Sequence, residues 1–157
     1  MTLISQPPPE NVQPPTFRFN DGEFEIPAGW EDRSVIALSF PAGAKKPEAS
    51  FAVTRDKFAG QESSLGLYVD KQLVDLAKVC PRFELIRRDQ VKMNDLAGQQ
   101  LEFRWRSPDG TTVRQEQTIL LLKTGTALTL TGTAPDPKFA EYAPVFRHMF
   151  DRFRLRT

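Results

Sequence analysis

Apolar and polar side chains alternate strictly through Gln100-Leu101-Glu102-Phe103-Arg104-Trp105-Arg106. This is the two-residue period of a strand with one buried face. Ser107-Pro108-Asp109-Gly110 then places Pro and Gly where a turn needs them. Residues 113–122 read as a second strand, Thr124-Gly125-Thr126 as a second turn and residues 127–133 as a third strand, so the whole stretch is a meander. The third strand carries Leu128 and Leu130 on one face and Ala127, Thr129, Thr131 and Thr133 on the other. One face is large and apolar, the other small and hydroxyl-bearing.

The same division recurs upstream. In residues 34–40, Val35, Ala37 and Ser39 alternate with Ile36, Leu38 and Phe40; in residues 49–55, Ser50, Ala52 and Thr54 alternate with Phe51 and Val53. Phe17 to Phe19 and Glu23 to Pro27, joined through Asn20-Asp21-Gly22, predict a short hairpin with positive φ in its turn. Trp30 in the following loop is expected against the core. A helical period replaces the alternation at Leu65, Val69, Leu73, Leu76, Ala77 and Cys80, with Ser63 or Ser64 as cap and Pro81 as stop. Gln72 lies beside that stripe. Residues 83–88 and 90–93 read as one bent strand or two short ones, followed by a turn over 94–98. Asp136-Pro137 starts a final helical segment with Phe139, Ala143, Phe146, Phe150 and Phe153 in phase. Pro144 is expected to split it into a short turn and a helix from Pro144 to about Phe153. The order of strands, helix, strands and helix predicts an α+β sandwich on a mostly antiparallel sheet, with both helices covering the bulky face.

Composition narrows the function classes. The 157 residues carry 21 basic and 20 acidic side chains, a balance that gives no reason to expect nucleic acid as partner. Acids alternating with Arg along the strands read as a solvated sheet face. One His and one Cys cannot make a zinc site of the usual kind, and no phosphate loop, nucleophile elbow or metalloprotease motif is present, so neither metal nor cofactor is expected. His148 reads as a surface residue and Cys80 as a packed thiol. The chain is therefore not read as an enzyme. Residues 1–16 hold five prolines and read as a disordered arm. No secretory signal and no apolar run of about 18 residues is seen, so the chain is not expected to span a membrane.

The small face remains. Ala, Val, Ser and Thr, joined by Gln115 and Gln117, would form a shallow semi-apolar surface. Transmembrane helices approach one another through small and hydroxyl residues of this kind, so such a cleft suits an apolar helix outside the membrane. The solvated face of an ordinary antiparallel sheet carries the same residues, and the pattern alone leaves both readings open.

The series Phe24-Glu25-Ile26-Pro27, Trp30, Asp32, Ser34-Val35, then Glu48-Ala49-Ser50-Phe51, Val53, Arg55-Asp56, Tyr68-Val69, Gln72-Leu73, Pro81, Phe83, Phe103, Trp105 and Gln117 resembles the DcrB-related (DUF1795) family. More closely it is similar to the Eag chaperones, adaptors of type VI secretion effectors. The resemblance implies a Mog1/PsbP-like sandwich over residues 17–157 as one domain. It further implies a cytoplasmic homodimer that shields the N-terminal transmembrane helices of PAAR-domain effectors and promotes their loading on the VgrG spike. By position, Val35, Ala37, Ser50, Thr54, Gln72, Val113 and Gln117 would line the client groove. Ala37, Thr54 and Cys80 depart from the residues usual in that family. The alternative is a Mog1/PsbP-like protein-binding module, such as a small-GTPase regulator.

Overall fold

The computed structural model describes residues 15–41, 47–58 and 65–156. The chain divides into two compact units, one ending at Arg33 and one beginning at Ser34. In the first, β1 (Thr16–Phe19) and β2 (Gly22–Glu25) pair antiparallel with Phe17 opposite Phe24. Their rings and that of Phe19 contact one another at centroid separations of 5.2 to 6.3 Å. Neither Asn20 nor Asp21 takes a positive φ in the turn. Trp30 is 72% exposed and is not the core residue expected of it. The proline-rich arm falls almost wholly on residues 1–14, outside the described residues, as do both cap candidates, Ser63 and Ser64.

The second unit is a six-stranded antiparallel sheet in the order β3-β4-β8-β7-β6-β5, with β3 Val35–Pro41, β4 Pro47–Lys57, β5 Glu84–Met93, β6 Leu96–Arg106, β7 Thr112–Leu121 and β8 Thr126–Pro135. The meander predicted from alternation is β6 to β8, and Gly110 and Gly125 supply the positive φ of its two turns. The two short runs expected over residues 83–88 and 90–93 form one strand, Glu84–Met93, with an irregularity between Leu85 and Arg87. The expected five-residue turn shrinks to Asn94-Asp95, both at positive φ (51° and 60°). Such a tight left-handed turn lets β6 begin at Leu96 and pair at once with Met93.

Two helices cover the sheet: α1 (Leu65–Val79) and α2 (Phe139–Arg152). They lie on opposite faces, which corrects the expectation of both on the bulky side. Leu120 pairs with Leu128 and Ile119 with Thr129, so adjacent residues of β7 point to opposite faces. Leu120, Leu128, Leu130 and Ala134 pack with Phe139, Ala143, Phe146 and Phe150 of α2. Ile119, Leu101 and Phe103 pack with Leu65 and Val69 of α1. The small face is thus small only over β3, β4 and β8. Toward β6 it carries Leu101, Phe103 and Trp105, and those large side chains give α1 its seat.

α2 runs unbroken through Pro144 after a 3-10 turn at Asp136–Lys138. The carbonyl of Ala140 that loses its donor belongs to an exposed residue, as does Pro144, so the lost bond is not a buried one. Phe146 closes on Gly132 so tightly that a Cβ there would lie 2.4 Å from its Cγ. A glycine at that point of β8 lets the helix reach the sheet.

The acidic positions of the central strands are not solvated. Glu116 is 1% exposed and Glu102 is buried beside it. Arg114 donates to Glu102 (2.5 Å) and Arg87 to Glu116 (3.3 Å). Burial pushes the Glu116 carboxyl above the usual carboxylate range, against the pull of Arg147, Arg87 and Arg114. What alternation reads as a polar face is a buried ion network, because α2 and the long arginines cover it.

Candidate functional site

Among the described residues of the second unit, α1 covers the β6 side of its face and leaves the β3–β4–β8 side open. The register sorts the open floor into rows running across the strands. One row is Val35, Thr54, Thr129 and Ile119; the next is Ala37, Ala52, Thr131 and Gln117; the third is Ser39, Ser50, Thr133 and Gln115. Four strands about 4.8 Å apart make a floor roughly 15 Å wide, enough for a helix about 10 Å across. Val35, Ala37 and Ser39 on β3 are exposed, Ser50, Ala52, Thr54, the three threonines and the two glutamines are half-buried, and Ile119 is buried beneath α1, where the open part of the first row ends.

Of the residues singled out in the sequence, Val35, Ala37, Ser50, Thr54 and Gln117 share this floor. Val113 lies on the same face one row beyond Gln115, opposite Trp105 and Pro135. It joins Ser50 and Thr133 in lining a cavity of about 450 Å3 that Glu48, Asp109 and Lys138 also border. Gln72 comes from α1 rather than the sheet. There it hydrogen-bonds the hydroxyl of Tyr68, which itself donates to Asp56 at 3.3 Å. Burial first, then the Asp56 carboxylate, pushes the Tyr68 phenol up to about 12. The phenol therefore stays a neutral donor at any ordinary pH, and Tyr68 with Gln72 forms a polar wall on the helix side.

A second polar series was missed from sequence. Trp105 donates its indole N–H to Gln115 Oε1 (2.8 Å), and Gln115 Nε2 donates to Thr133 Oγ (2.8 Å). The relay ties β6, β7 and β8 together across the floor and fixes the orientation of the Gln115 amide. Its members stand far apart in the chain, and only the register brings them into line. Ala52, Thr129 and Thr131 were visible as part of the small face, but nothing local marked them as central.

At the β4 end, Glu48 accepts from Tyr142 and from Lys138. The Lys138 bond, then the Tyr142 bond, hold the Glu48 carboxyl below its usual range, and the same bond raises Tyr142 to about 12. Cys80 is buried and its thiol is pushed up by burial, so it packs rather than reacts. Among the described residues, no group of three His, Cys, Asp or Glu could hold a metal ion, and no helix is long and apolar enough to cross a membrane. What the arrangement offers chemically is a broad, shallow surface of methyls, hydroxyls and amides.

Known proteins share this frame. The chain is 28% identical over 119 residues to the Effector EagT6 of Pseudomonas aeruginosa, covering 76% of this chain and 81% of that protein. The crystal structure of PA94, a Pseudomonas aeruginosa protein of unknown function, superposes with a TM-score of 0.78 at 24% identity, covering 91% of this chain and 97% of that one. The solution structure of the cyanobacterial PsbP of Synechocystis sp. PCC 6803 gives a TM-score of 0.54 at 14% identity over 85% of this chain and 86% of that one. The fold is therefore the PsbP-like α/β sandwich expected from the sequence. The family model described as DcrB matches residues 21–143, and the chain belongs to the DcrB family.

Proposed function

We propose that this chain is a cytoplasmic chaperone and adaptor of type VI secretion effectors. It binds the N-terminal transmembrane helices of a PAAR-domain effector in the open groove, shields them from water as a homodimer, and promotes loading of the effector on the VgrG spike. Its work is binding, without catalysis. The observation that carries this reading is the half-covered small face: three rows of Ala, Val, Ser, Thr and Gln, walled by Tyr68 and Gln72 and free of fixed charge across their centre. The relationship to EagT6 supports it.

The physical logic is a compromise. A transmembrane helix in water exposes about 20 apolar residues and aggregates. Burial worth roughly 25 cal/mol per Å2 favours its capture. Small floor residues let the helix backbone come close, and Ser, Thr and Gln satisfy its hydroxyls and amides, so small-residue helices are selected. A floor of large aliphatics would bind more tightly and less selectively.

Replacing Gln72 or Gln117 by Lys tests this, because it buries an unpaired charge under the client. Binding of a labelled apolar helix, followed by anisotropy, should weaken by at least about tenfold, with the melting temperature of the chaperone unchanged. Wild-type affinity in both variants would overturn the assignment.

A further inference from the structure

The second unit ends, on its β5 side, in a charged cavity distinct from the small-residue floor. Its volume is about 430 Å3, and Arg82, Arg104 and Arg106 line it with Glu84, Trp105 and Thr112. Three guanidiniums face one carboxylate there, in a chain whose basic and acidic totals are nearly equal. Glu84 pairs with Arg104 and Thr112 with Arg106. Arg104 in turn lies opposite Arg114, and Arg114 opposite Ala134 of the α2 core. Opposite residues share a face, so these side chains stand on the α2 side of the sheet, away from the floor.

The cations in the cavity are not equivalent. Arg104 is already engaged, for its Nε donates to Glu84 at 2.8 Å and Asp136 stands 3.8 Å from its Nη1. The Asp109 carboxylate in the neighbouring turn accepts from Ser107 (2.7 Å) and from the Thr111 N–H (2.9 Å), and it borders a different cavity. Among the described residues, neither Arg82 nor Arg106 has an acceptor for its guanidinium. The backbone nevertheless holds the two together. The Arg106 N–H donates to the Pro81 carbonyl at 2.8 Å, which fixes the Arg82 turn against the end of β6. Arg106 also lies along the next turn, its Nη2 3.8 Å from where a Cβ on Gly110 would stand. Arg82 takes a positive φ of 55°, a left-handed conformation that glycine adopts more easily. The turn itself gives no reason for arginine at that position. Two unpaired cations side by side, one of them on strained backbone, are a binding feature awaiting an anion.

We propose that this cavity binds an acidic segment of a partner protein, with two carboxylates seated in the forks of Arg82 and Arg106. Each fork takes a carboxylate through two parallel N–H···O bonds. Acidic residues two apart in an extended chain project to one side about 7 Å from one another, a separation suited to two neighbouring arginine side chains. A single phosphate, a few times the roughly 30 Å3 of a water, would leave most of the volume empty. The cavity faces away from the client floor, so filling one leaves the other open, and the assignment makes no use of the client.

Titration of the full chain with a rhodamine-labelled Gly-Ser peptide carrying Asp-Gly-Asp at its centre, read by anisotropy at about 0.05 M salt, tests this. The peptide should bind saturably, and the same peptide with Asn-Gly-Asn should not. Arg82→Gly and Arg106→Gln should each weaken binding by at least about tenfold. Arg82→Gly removes the charge and the backbone strain together, so its melting temperature should stay within about 3 °C of wild type. Lys71→Gln, which removes an exposed charge on α1, should bind as wild type does. An aspartate peptide that fails to bind, an asparagine peptide that binds equally, wild-type affinity in either arginine variant, or an equal loss in Lys71→Gln would overturn the proposal. Inorganic phosphate that displaces the labelled peptide as effectively as unlabelled peptide does would also overturn it, by making the site one for a small anion.

Discussion

Ala52 stands at the centre of the open floor, between Ala37 on β3 and Thr131 on β8. Replacing it with Phe puts a ring into the groove where the client helix must come closest. Layers packed on a sheet sit about 10 Å from it, and an aromatic ring standing on Ala52 fills roughly half that gap. A 20-residue helix in the groove brings on the order of 300 Å2 of apolar surface against the floor, worth on the order of 7 kcal/mol before ordering costs. Lifting it from the central third forfeits about 2–3 kcal/mol, a loss of roughly 30- to 150-fold in affinity. The ring points into open space, so the fold should lose no more than about 1 kcal/mol. Anisotropy with a labelled small-residue apolar helix reads the first number and a thermal melt the second. Affinity within about twofold of wild type would refute the floor as the binding surface.

On the opposite face, Phe146→Ala removes the ring seated on Gly132 and should destabilise by about 3–5 kcal/mol in denaturant titration, whereas Val145→Ala, one residue away and exposed, should stay within about 0.5 kcal/mol. If the two variants unfold alike, α2 does not dock as described. Glu116→Gln tests the buried acid. Because the folded Glu116 carboxyl is raised, the folded state holds its proton more tightly than the unfolded chain. The stability gained by protonation is absent above the folded value, grows as pH falls from there, and is complete below the ordinary value of 4.5. Wild type should therefore gain on Glu116→Gln as pH falls through that window; parallel pH profiles would contradict the cause assigned.

The period-two alternation was enough to place the meander, the two upstream strands and the small face, because burial on one side of a strand writes itself into every second residue. Both helices were legible for the same reason at the 3.6 period. Which face each helix covers was not. Ile119 and Leu120 are adjacent and both apolar, and only pairing with Thr129 and Leu128 separates their faces. The buried fates of Glu102 and Glu116 were equally hidden, since alternation with Arg looks the same in water and under a helix. In the site, Val35, Ala37, Ser50, Thr54 and Gln117 fall on one floor as the pattern suggested. Thr133 and Gln115 enter a hydrogen-bonded relay with Trp105 that depends on strand order, and strand order across the β4–β8 junction is set by an intervening helix and three strands. Proline usually ends helices, but at Pro144 the carbonyl it orphans belongs to an exposed residue, so the helix runs on.

The central claim is that the open face holds an effector's apolar helices. The direct test is to co-express the chain with a PAAR-containing effector, with and without the effector's N-terminal apolar segment, and weigh the purified species by light scattering. A soluble complex should form only when the segment is present and should contain two copies of this chain for each helix region. An effector that stays soluble alone, or a complex that forms equally well without the segment, would contradict it.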